Sequence, residues 1–135
     1  MTARTVTCVF LGGALGAVTR VSLALLLIAL LPGAWPWGTL VANVSGSLLI
    51  GLFAGIRASG WRWGGSDLDH FVMTGLLGGF TTFSLFSLEV LTLWQAALPG
   101  LALAYIMISV LLWLPAVALG YAVGQRFGRK RARPA

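Results

Sequence analysis

The chain has 135 residues, of which 59% are hydrophobic and only 9% are charged, and its formal net charge is +6. Soluble domains carry roughly 25% charged residues, so this composition excludes an ordinary soluble domain and indicates a membrane protein. The basic excess does not indicate nucleic-acid binding, because the positive charges flank apolar segments. The sequence contains no nucleophile–base set, metal-ligand cluster or phosphate-binding loop, so we expect neither an enzyme nor a nucleic-acid partner.

Four membrane-spanning helices are predicted, in a single domain that occupies residues 1–135. The predicted spans are 5–30, 38–57, 69–97 and 100–126, followed by a basic tail at 127–135. Two windows without formal charge, 21–56 and 90–125, are each too long for one span of about 20 residues. Leu-Pro-Gly tripeptides at 31–33 and 98–100 divide these windows. The predicted fold class is therefore an all-α membrane protein with four transmembrane helices.

Two ionisable residues lie inside apolar stretches, Arg20 in the first span and Glu89 in the third. A charge in the bilayer core costs about 2.5–3.5 kcal/mol on insertion scales, so a partner or a wet cavity is expected for each. The alternative is that each side chain lies near a helix end and extends to the interface. The sequence leaves both interpretations open.

Polar side chains share helix faces in the second and fourth spans. Thr39, Asn43 and Ser47 follow one another at intervals of four residues, and so do Tyr105 and Ser109. Such residues commonly serve as hydrogen-bonding contacts between membrane helices. The alternative is a polar track along a narrow permeation path. Since four spans have little room to enclose a pore, such a path would involve a dimer.

The third span is predicted to be broken near its middle. Gly-Leu-Leu-Gly-Gly-Phe at 75–80 is followed directly by Thr-Thr-Phe-Ser-Leu-Phe at 81–86. Glycines weaken a helix, and threonines offer the backbone alternative hydrogen bonds. Irregular backbone at membrane depth is tolerated only where it is buried in protein or lines a cavity. The sequence therefore predicts a functional site here. Phe80, Phe83 and Phe86 recur every three residues, a spacing that normally indicates core packing, but their ring edges could also receive a small anion.

The basic residues outside the spans fall on one side of the four-span arrangement. They are Arg4, Arg57, Arg62, Arg126, Arg129, Lys130, Arg131 and Arg133. The two Leu-Pro-Gly loops carry no basic residue. By the positive-inside rule we expect both termini to face the cytoplasm. The basic tail is also expected to anchor the chain or to contact anionic lipid headgroups.

Three sequence blocks occur in a characteristic order. They are Gly-Gly-Ala-Leu-Gly-Ala-Val-Thr-Arg at 12–20, Gly-Thr-Leu-Val-Ala-Asn-Val-Ser-Gly-Ser at 38–47, and the stretch 75–89. In order, spacing and chain length they resemble the CrcB/Fluc fluoride channel family. The resemblance implies an antiparallel dimer in the bacterial plasma (inner) membrane, with pores at the dimer interface. It also implies passive fluoride export that lowers cytoplasmic fluoride.

The resemblance further implies roles for individual residues. It places on the fluoride path Asn43, Phe83, Ser84, Phe86, Glu89, Tyr105 and Ser109. Phe83 and Phe86 would turn ring edges to fluoride, and Asn43 would donate from its amide NH2. The backbone carbonyls of Gly78 and Thr81 would coordinate a structural sodium ion shared by two subunits. This fits the preference of hard cations for oxygen ligands, which an unwound helical turn exposes.

Alternative interpretations remain. The one-sided basic residues do not suit a homodimer whose chains insert in both orientations, so one alternative is a heterodimer with a paired homologous subunit of opposite orientation. A small proton-coupled multidrug transporter also has four short spans, but it needs a carboxylate in the first span, where this chain has Arg20. A membrane scaffold without transport is the third alternative, in which the glycines and phenylalanines only pack.

Overall fold

The computed structural model describes residues 2–61 and 65–132, and these residues form helices, turns and connections without any strand. The helices are α1 (Ala3–Leu30), α2 (Trp37–Ala58), α3 (Ser66–Asp69, His70–Leu77 and Gly78–Phe80), α4 (Phe83–Gln95) and α5 (Pro99–Ala132). Taking α3 and α4 as one span, four helical segments in this part of the chain are long and apolar enough to cross a membrane. The predicted all-α fold with four spans is confirmed. Arg62 and Arg133, which contribute to the predicted charge bias, lie outside the described residues.

The observed third span, Ser66–Gln95, begins earlier than residue 69 and ends earlier than residue 97. At its start, Asp67 and Asp69 lie in the first helical turn, where the helix dipole favours negative charge. At its end, Ala97 adopts a left-handed backbone with φ 58°, and this conformation stops the helix before α5 begins.

α1 packs closely against α3 because glycines remove the side chains between the two backbones. Gly12 and Gly16 are buried. A Cβ atom at Gly12 would clash with the carbonyl oxygen of Phe71, and one at Gly16 with that of Leu76. This close approach matters in lipid, where helices associate through packing without a hydrophobic driving force between them.

α2 and α5 meet through glycines on both helices. Gly51 and Gly55 of α2 lie against the α5 backbone, and Gly120 and Gly124 of α5 lie against the α2 backbone. A Cβ atom at any of the four positions would clash with a backbone carbonyl of the facing helix. The spacing of four residues seen in the sequence therefore corresponds to a long backbone-to-backbone contact.

One end of the bundle holds two ion pairs. Nε of Arg4 lies 2.9 Å from Oδ2 of Asp67. Thr5 donates to the other oxygen of this carboxylate at 3.2 Å. Arg57, at the end of α2, binds Asp69, with its Nε donating at 2.6 Å. The start of α1, the end of α2 and the start of α3 therefore meet, which places Arg4 and Arg57 at the same end, as the sequence predicts.

The third span is interrupted between α3 and α4. The segment His70–Leu77 is π-helical, a rare geometry that is frequent near functional sites. After the short turn Gly78–Phe80, Thr81 has φ −86° and ψ 156°, and Thr82 has φ −153° and ψ 124°. Both residues are thus extended, within the stretch where the sequence predicts a break.

The basic segment predicted from residue 127 continues α5 as helix through Ala132. Arg129, Lys130 and Arg131 occupy its last turn, where the helix dipole favours positive charge. The guanidinium of Arg131 lies 5.9 Å from the ring centroid of Trp61 and 5.7 Å from that of Phe127. These contacts turn part of the basic segment toward the aromatic residues at this end of the bundle.

Candidate functional site

The extended backbone at the interruption is held by Asn43 of α2. The Asn43 Nδ2 atom donates to the carbonyl oxygen of Thr82 at 2.9 Å. The backbone N–H of Thr82 donates to Asn43 Oδ1 at 2.8 Å. Asn43 is only 5% exposed, so these two bonds satisfy backbone groups that the interrupted helix leaves free. One of the two amide hydrogens of Asn43 is thereby engaged, which leaves a single N–H for another acceptor.

The interruption also frees the two carbonyls predicted as cation ligands. In a continuous helix the N–H of Thr82 would donate to the carbonyl of Gly78, and the N–H of Leu85 to that of Thr81. Here the Thr82 N–H donates to Asn43, and the Leu85 N–H donates to Thr82 Oγ1 at 3.2 Å, as a helix N-cap. Gly78 and Thr81 therefore lose the amide donors that a continuous helix would supply.

Gly78 and Thr81 line one cavity of about 370 Å³ together with two of the seven predicted path residues, Asn43 and Phe83, whereas the other five do not line it. Its lining consists of Asn43, Ser47, Ile50, Gly78, Thr81, Thr82, Phe83 and Trp113. Across the part of the chain that the structure describes, no group of three or more His, Cys, Asp or Glu could hold a metal ion. The oxygen atoms available at this cavity belong to backbone carbonyls, to the hydroxyls of Ser47, Thr81 and Thr82, and to the Asn43 side chain.

The two phenylalanines predicted to contact an anion lie side by side in different environments. Phe83 is 72% exposed, whereas Phe86 is 7% exposed, and their ring centroids are 5.7 Å apart. Phe86 packs against Tyr105 with centroids 5.1 Å apart and against Trp113 at 4.8 Å. Phe86 is therefore an element of the aromatic core between α4 and α5, and Phe83 lies at the open rim of the cavity.

Glu89 has two hydroxyl partners within the protein. Thr39 donates to Glu89 Oε1 at 2.7 Å, and the phenol of Tyr105 donates to Oε2 at 2.8 Å. Tyr105 is fully buried and Thr39 nearly so. The carboxylate thus links α2, α4 and α5, and of the two interpretations left open by the sequence the structure supports the partnered one. The sequence analysis placed Thr39 on a polar face but did not pair it with Glu89.

Arg20 also has a partner, at the end of α3. Its Nε atom donates to the carbonyl oxygen of Gly79 at 3.3 Å. A guanidinium at this place complements the partial negative charge of a helix C-terminus. Arg20 of α1 and Asn43 of α2 therefore contact the interruption from two different helices.

The remaining predicted path residues, Ser84 and Ser109, differ in exposure and in hydrogen bonding. Ser84 is exposed, and its Oγ lies 3.2 Å from Oγ1 of Thr82. Ser109 is fully buried, and its Oγ has no hydrogen-bond partner among the residues described. Trp113 was missed by the sequence reasoning. Its position four residues after Ser109, on the helix face that begins at Tyr105, is the signal that could have found it.

These features define a class of protein. The chain is a multi-pass membrane protein in which irregular backbone, hydroxyl and amide groups and aromatic rings meet at a cavity between α2, the interrupted third span and α5. Such backbone at membrane depth is typical of proteins that bind or conduct ions. The fold and the site together therefore define an ion-handling membrane protein.

The family follows from similarity to known proteins. Residues 7–121 match the family model described as "CrcB-like protein, Camphor Resistance (CrcB)", and the chain belongs to this family. It is 46% identical to a fluoride-specific ion channel FluC of Paracoccus denitrificans over 117 residues. This aligned region covers 87% of this chain and 91% of the relative. A protein of the same name from Hyphomonas neptunium is 43% identical over 118 residues, which are 87% of this chain and 93% of that relative. One from Opitutus terrae is 49% identical over 112 residues, which are 82% of this chain and 85% of that relative. The resemblance stated from the motif blocks is confirmed. The expectation that the chain is not an enzyme is also confirmed, because these relatives are named as ion channels.

Proposed function

We propose that this chain is the subunit of a fluoride-specific ion channel that lowers cytoplasmic fluoride by passive export. Its relatives from Paracoccus denitrificans and Hyphomonas neptunium are named fluoride-specific ion channels. The single observation in the structure that carries the proposal is the cavity at the interrupted third span. Its lining offers amide and hydroxyl donors and two aromatic side chains, Phe83 and Trp113, and includes no charged side chain. Within the bacterial inner membrane, with both termini in the cytoplasm, such a path detoxifies fluoride as the membrane potential drives the anion outward.

An uncharged lining suits conduction better than a basic one. A dehydrated fluoride ion needs hydrogen-bond donors and partial positive charge to replace its water, but a full positive charge would retain it. Ring edges supply partial positive charge. We assign this role to Phe83 and Phe86, whose centroids lie 5.7 Å apart.

The polar groups on the proposed path are Asn43, Ser84, Tyr105 and Ser109, with Glu89 near one end. Three of them are already engaged within the subunit, since Asn43 and Ser84 bind Thr82 and Tyr105 binds Glu89. Fluoride would therefore meet the free amide hydrogen of Asn43 and the hydroxyl of Ser109, whose Oγ has no partner in the described chain. Tyr105 would contribute by exchanging its hydrogen bond.

A structural sodium ion fits the carbonyls at the interruption. Gly78 and Thr81 line the same cavity, and the amides that would bind their carbonyls in a continuous helix donate elsewhere. Oxygen donors without a carboxylate suit a monovalent hard cation. When bound, the ion would supply positive charge that compensates these carbonyls and joins the two subunits.

The dimer is supported by what one subunit leaves uncovered. Phe83 is 72% exposed beside a cavity that contains extended backbone at Thr81 and Thr82. Lipid cannot hydrogen-bond the Gly78 and Thr81 carbonyls, which have lost their helical amide donors, so another partner must satisfy them. We propose an antiparallel partner, which is a second copy of the chain or a paired homologous subunit. The one-sided distribution of basic residues favours a single membrane orientation for this chain, and therefore a paired subunit of the opposite orientation. Acidic neighbours such as Asp67 do not offset this bias, because acidic residues contribute little to membrane orientation.

Efflux from liposomes tests the proposal. The purified chain alone is reconstituted into fluoride-loaded vesicles in sodium or in potassium salts. A cation ionophore carries the compensating charge, and external fluoride is followed with an electrode. We expect rapid fluoride efflux without chloride efflux, and a slower rate or a less stable dimer when sodium is replaced. Efflux that appears only after co-expression with a paired subunit would establish the heterodimer. Absence of fluoride efflux in both preparations would refute the proposed function.

A further inference from the structure

Three buried polar atoms have no hydrogen-bond partner within the described parts of the chain. They are Nε1 of Trp35, Oγ of Ser109 and Nε1 of Trp113. A buried donor without a partner is unfavourable, because it has lost its water without gaining a protein acceptor. Each such atom therefore calls for an explanation, and the site described above accounts only for Ser109.

Trp113 differs from Trp35 in its surroundings. Trp113 lines the 370 Å³ cavity together with Asn43 and Phe83. It follows Tyr105 and Ser109 at four-residue intervals along α5, so the three side chains lie on one helix face. Its ring meets that of Phe86 at 4.8 Å with an interplanar angle of 70°. Trp35 belongs to the connection between α1 and α2 and lines a different cavity, of about 210 Å³.

The indole N–H has a chemistry that suits an anion and no cation. It is a donor only, it offers no lone pair, and it carries no charge that would retain an anion. A hydroxyl at the same place could also accept a hydrogen bond and so would be compatible with water or a cation. A bulky ring that already contacts Phe86 also narrows the space beside the N–H.

We propose that Trp113 is a fluoride-contacting, specificity-determining residue, whose indole N–H donates a hydrogen bond to the anion as it passes Phe86. This inference deepens the proposed function and rests on it. Trp113 adds a buried, partnerless donor to the face formed by Tyr105 and Ser109, and its side chain lines the cavity that Asn43 and Phe83 share.

The variant Trp113→Phe tests the donor while keeping an aromatic ring. We expect fluoride efflux from liposomes to fall by about tenfold or more, the change that corresponds to losing one hydrogen bond to a charged group. Trp94→Phe is the matched control, because it is the same substitution at a tryptophan that is 55% exposed and does not line this cavity. Its efflux should equal that of the unaltered chain. Equal losses in both variants would overturn the proposal, since the loss would then follow from repacking.

A second measurement on the unaltered chain does not depend on the folding of a variant. Indole N–H resonances of isotopically labelled tryptophan are recorded while sodium fluoride or sodium chloride is added, and the Trp113 resonance is assigned by its loss in Trp113→Phe. We expect fluoride alone to shift this resonance. An unmoved resonance, or unaltered efflux in Trp113→Phe, refutes the role of Trp113 while the channel itself still conducts. Absence of efflux from the unaltered chain, alone and with a paired subunit, would instead refute the proposed function.

Discussion

The contact between α2 and α5 and the interruption between α3 and α4 both accommodate backbone hydrogen-bonding groups in a membrane, but in opposite ways. In the first, both helices stay continuous, and glycines such as Gly55 and Gly124 let the helices touch. In the second, regular helical hydrogen bonding is interrupted at Thr81 and Thr82, and the Asn43 side chain of α2 binds the backbone of Thr82 instead. The α2–α5 contact is therefore a packing framework, whereas the α3–α4 interruption places polar groups within a membrane span. Substitutions in the first region should therefore act on stability, and those in the second mainly on transport.

The largest effect on folding is expected from Gly55→Ala. The added Cβ atom would meet the carbonyl of Tyr121 and the backbone N–H of Gln125, and helix backbone cannot yield locally. We expect a loss of about 3 kcal/mol in stability, at the upper end of overpacking effects. The thermal midpoint in detergent measures it. Gly100→Ala is the matched control, because nothing lies near its Cβ position, and it should be neutral or slightly stabilising. Equal midpoints in the two variants would contradict the backbone contact.

The second effect is expected at Asn43, where stability and transport should separate. Asn43→Asp keeps the acceptor for the Thr82 N–H but removes the donor to the Thr82 carbonyl and adds a negative charge. We expect a stability loss of about 2 kcal/mol. Fluoride efflux should fall far more than in a framework variant of equal stability loss, because the new charge repels the anion.

Ser45→Ala is the control for that measurement. The Ser45 hydroxyl donates to the carbonyl of Val41 in its own helix at 2.6 Å and does not line the cavity. Its efflux should match the unaltered chain. Normal efflux in Asn43→Asp would show that Asn43 serves only to hold Thr82, and the difference between the two regions would then be one of degree.

The smallest effect is expected at the carboxylate that joins the two regions. Thr39→Val removes one hydroxyl donor to Glu89 at nearly constant volume and should cost about 1.5 kcal/mol, as expected for a hydrogen bond to a charged group. Tyr105→Phe removes the other donor. Because both hydroxyls bind one carboxylate, the double variant should depart from the sum of the single ones. Chemical unfolding of the four proteins measures this, and additive losses would show that Glu89 does not couple the two helices.

Some features of the candidate site could be predicted from local sequence. The run of glycines before Thr81 and Thr82 indicated where the helix stops, because it acts on backbone propensity within a few residues. The spacing of Tyr105 and Ser109 indicated a shared helix face for the same local reason. The bonds of Asn43 to Thr82 and of Arg20 to Gly79 could not be read from the residues alone, since each joins positions far apart along the chain.

By itself, the sequence determined the four apolar segments, their order, the weak point in the third, and, through three motif blocks, the family. These properties follow from composition and short-range spacing, which act before any tertiary contact forms. Only the tertiary structure decided which polar groups are satisfied and which are free. It paired Glu89 with Thr39 and Tyr105, turned Asn43 onto the backbone of Thr82, and left the indole N–H of Trp113 without a partner among the described residues. The physical reason is that hydrogen bonds between helices depend on how the helices pack, and the glycine contacts set that packing in three dimensions.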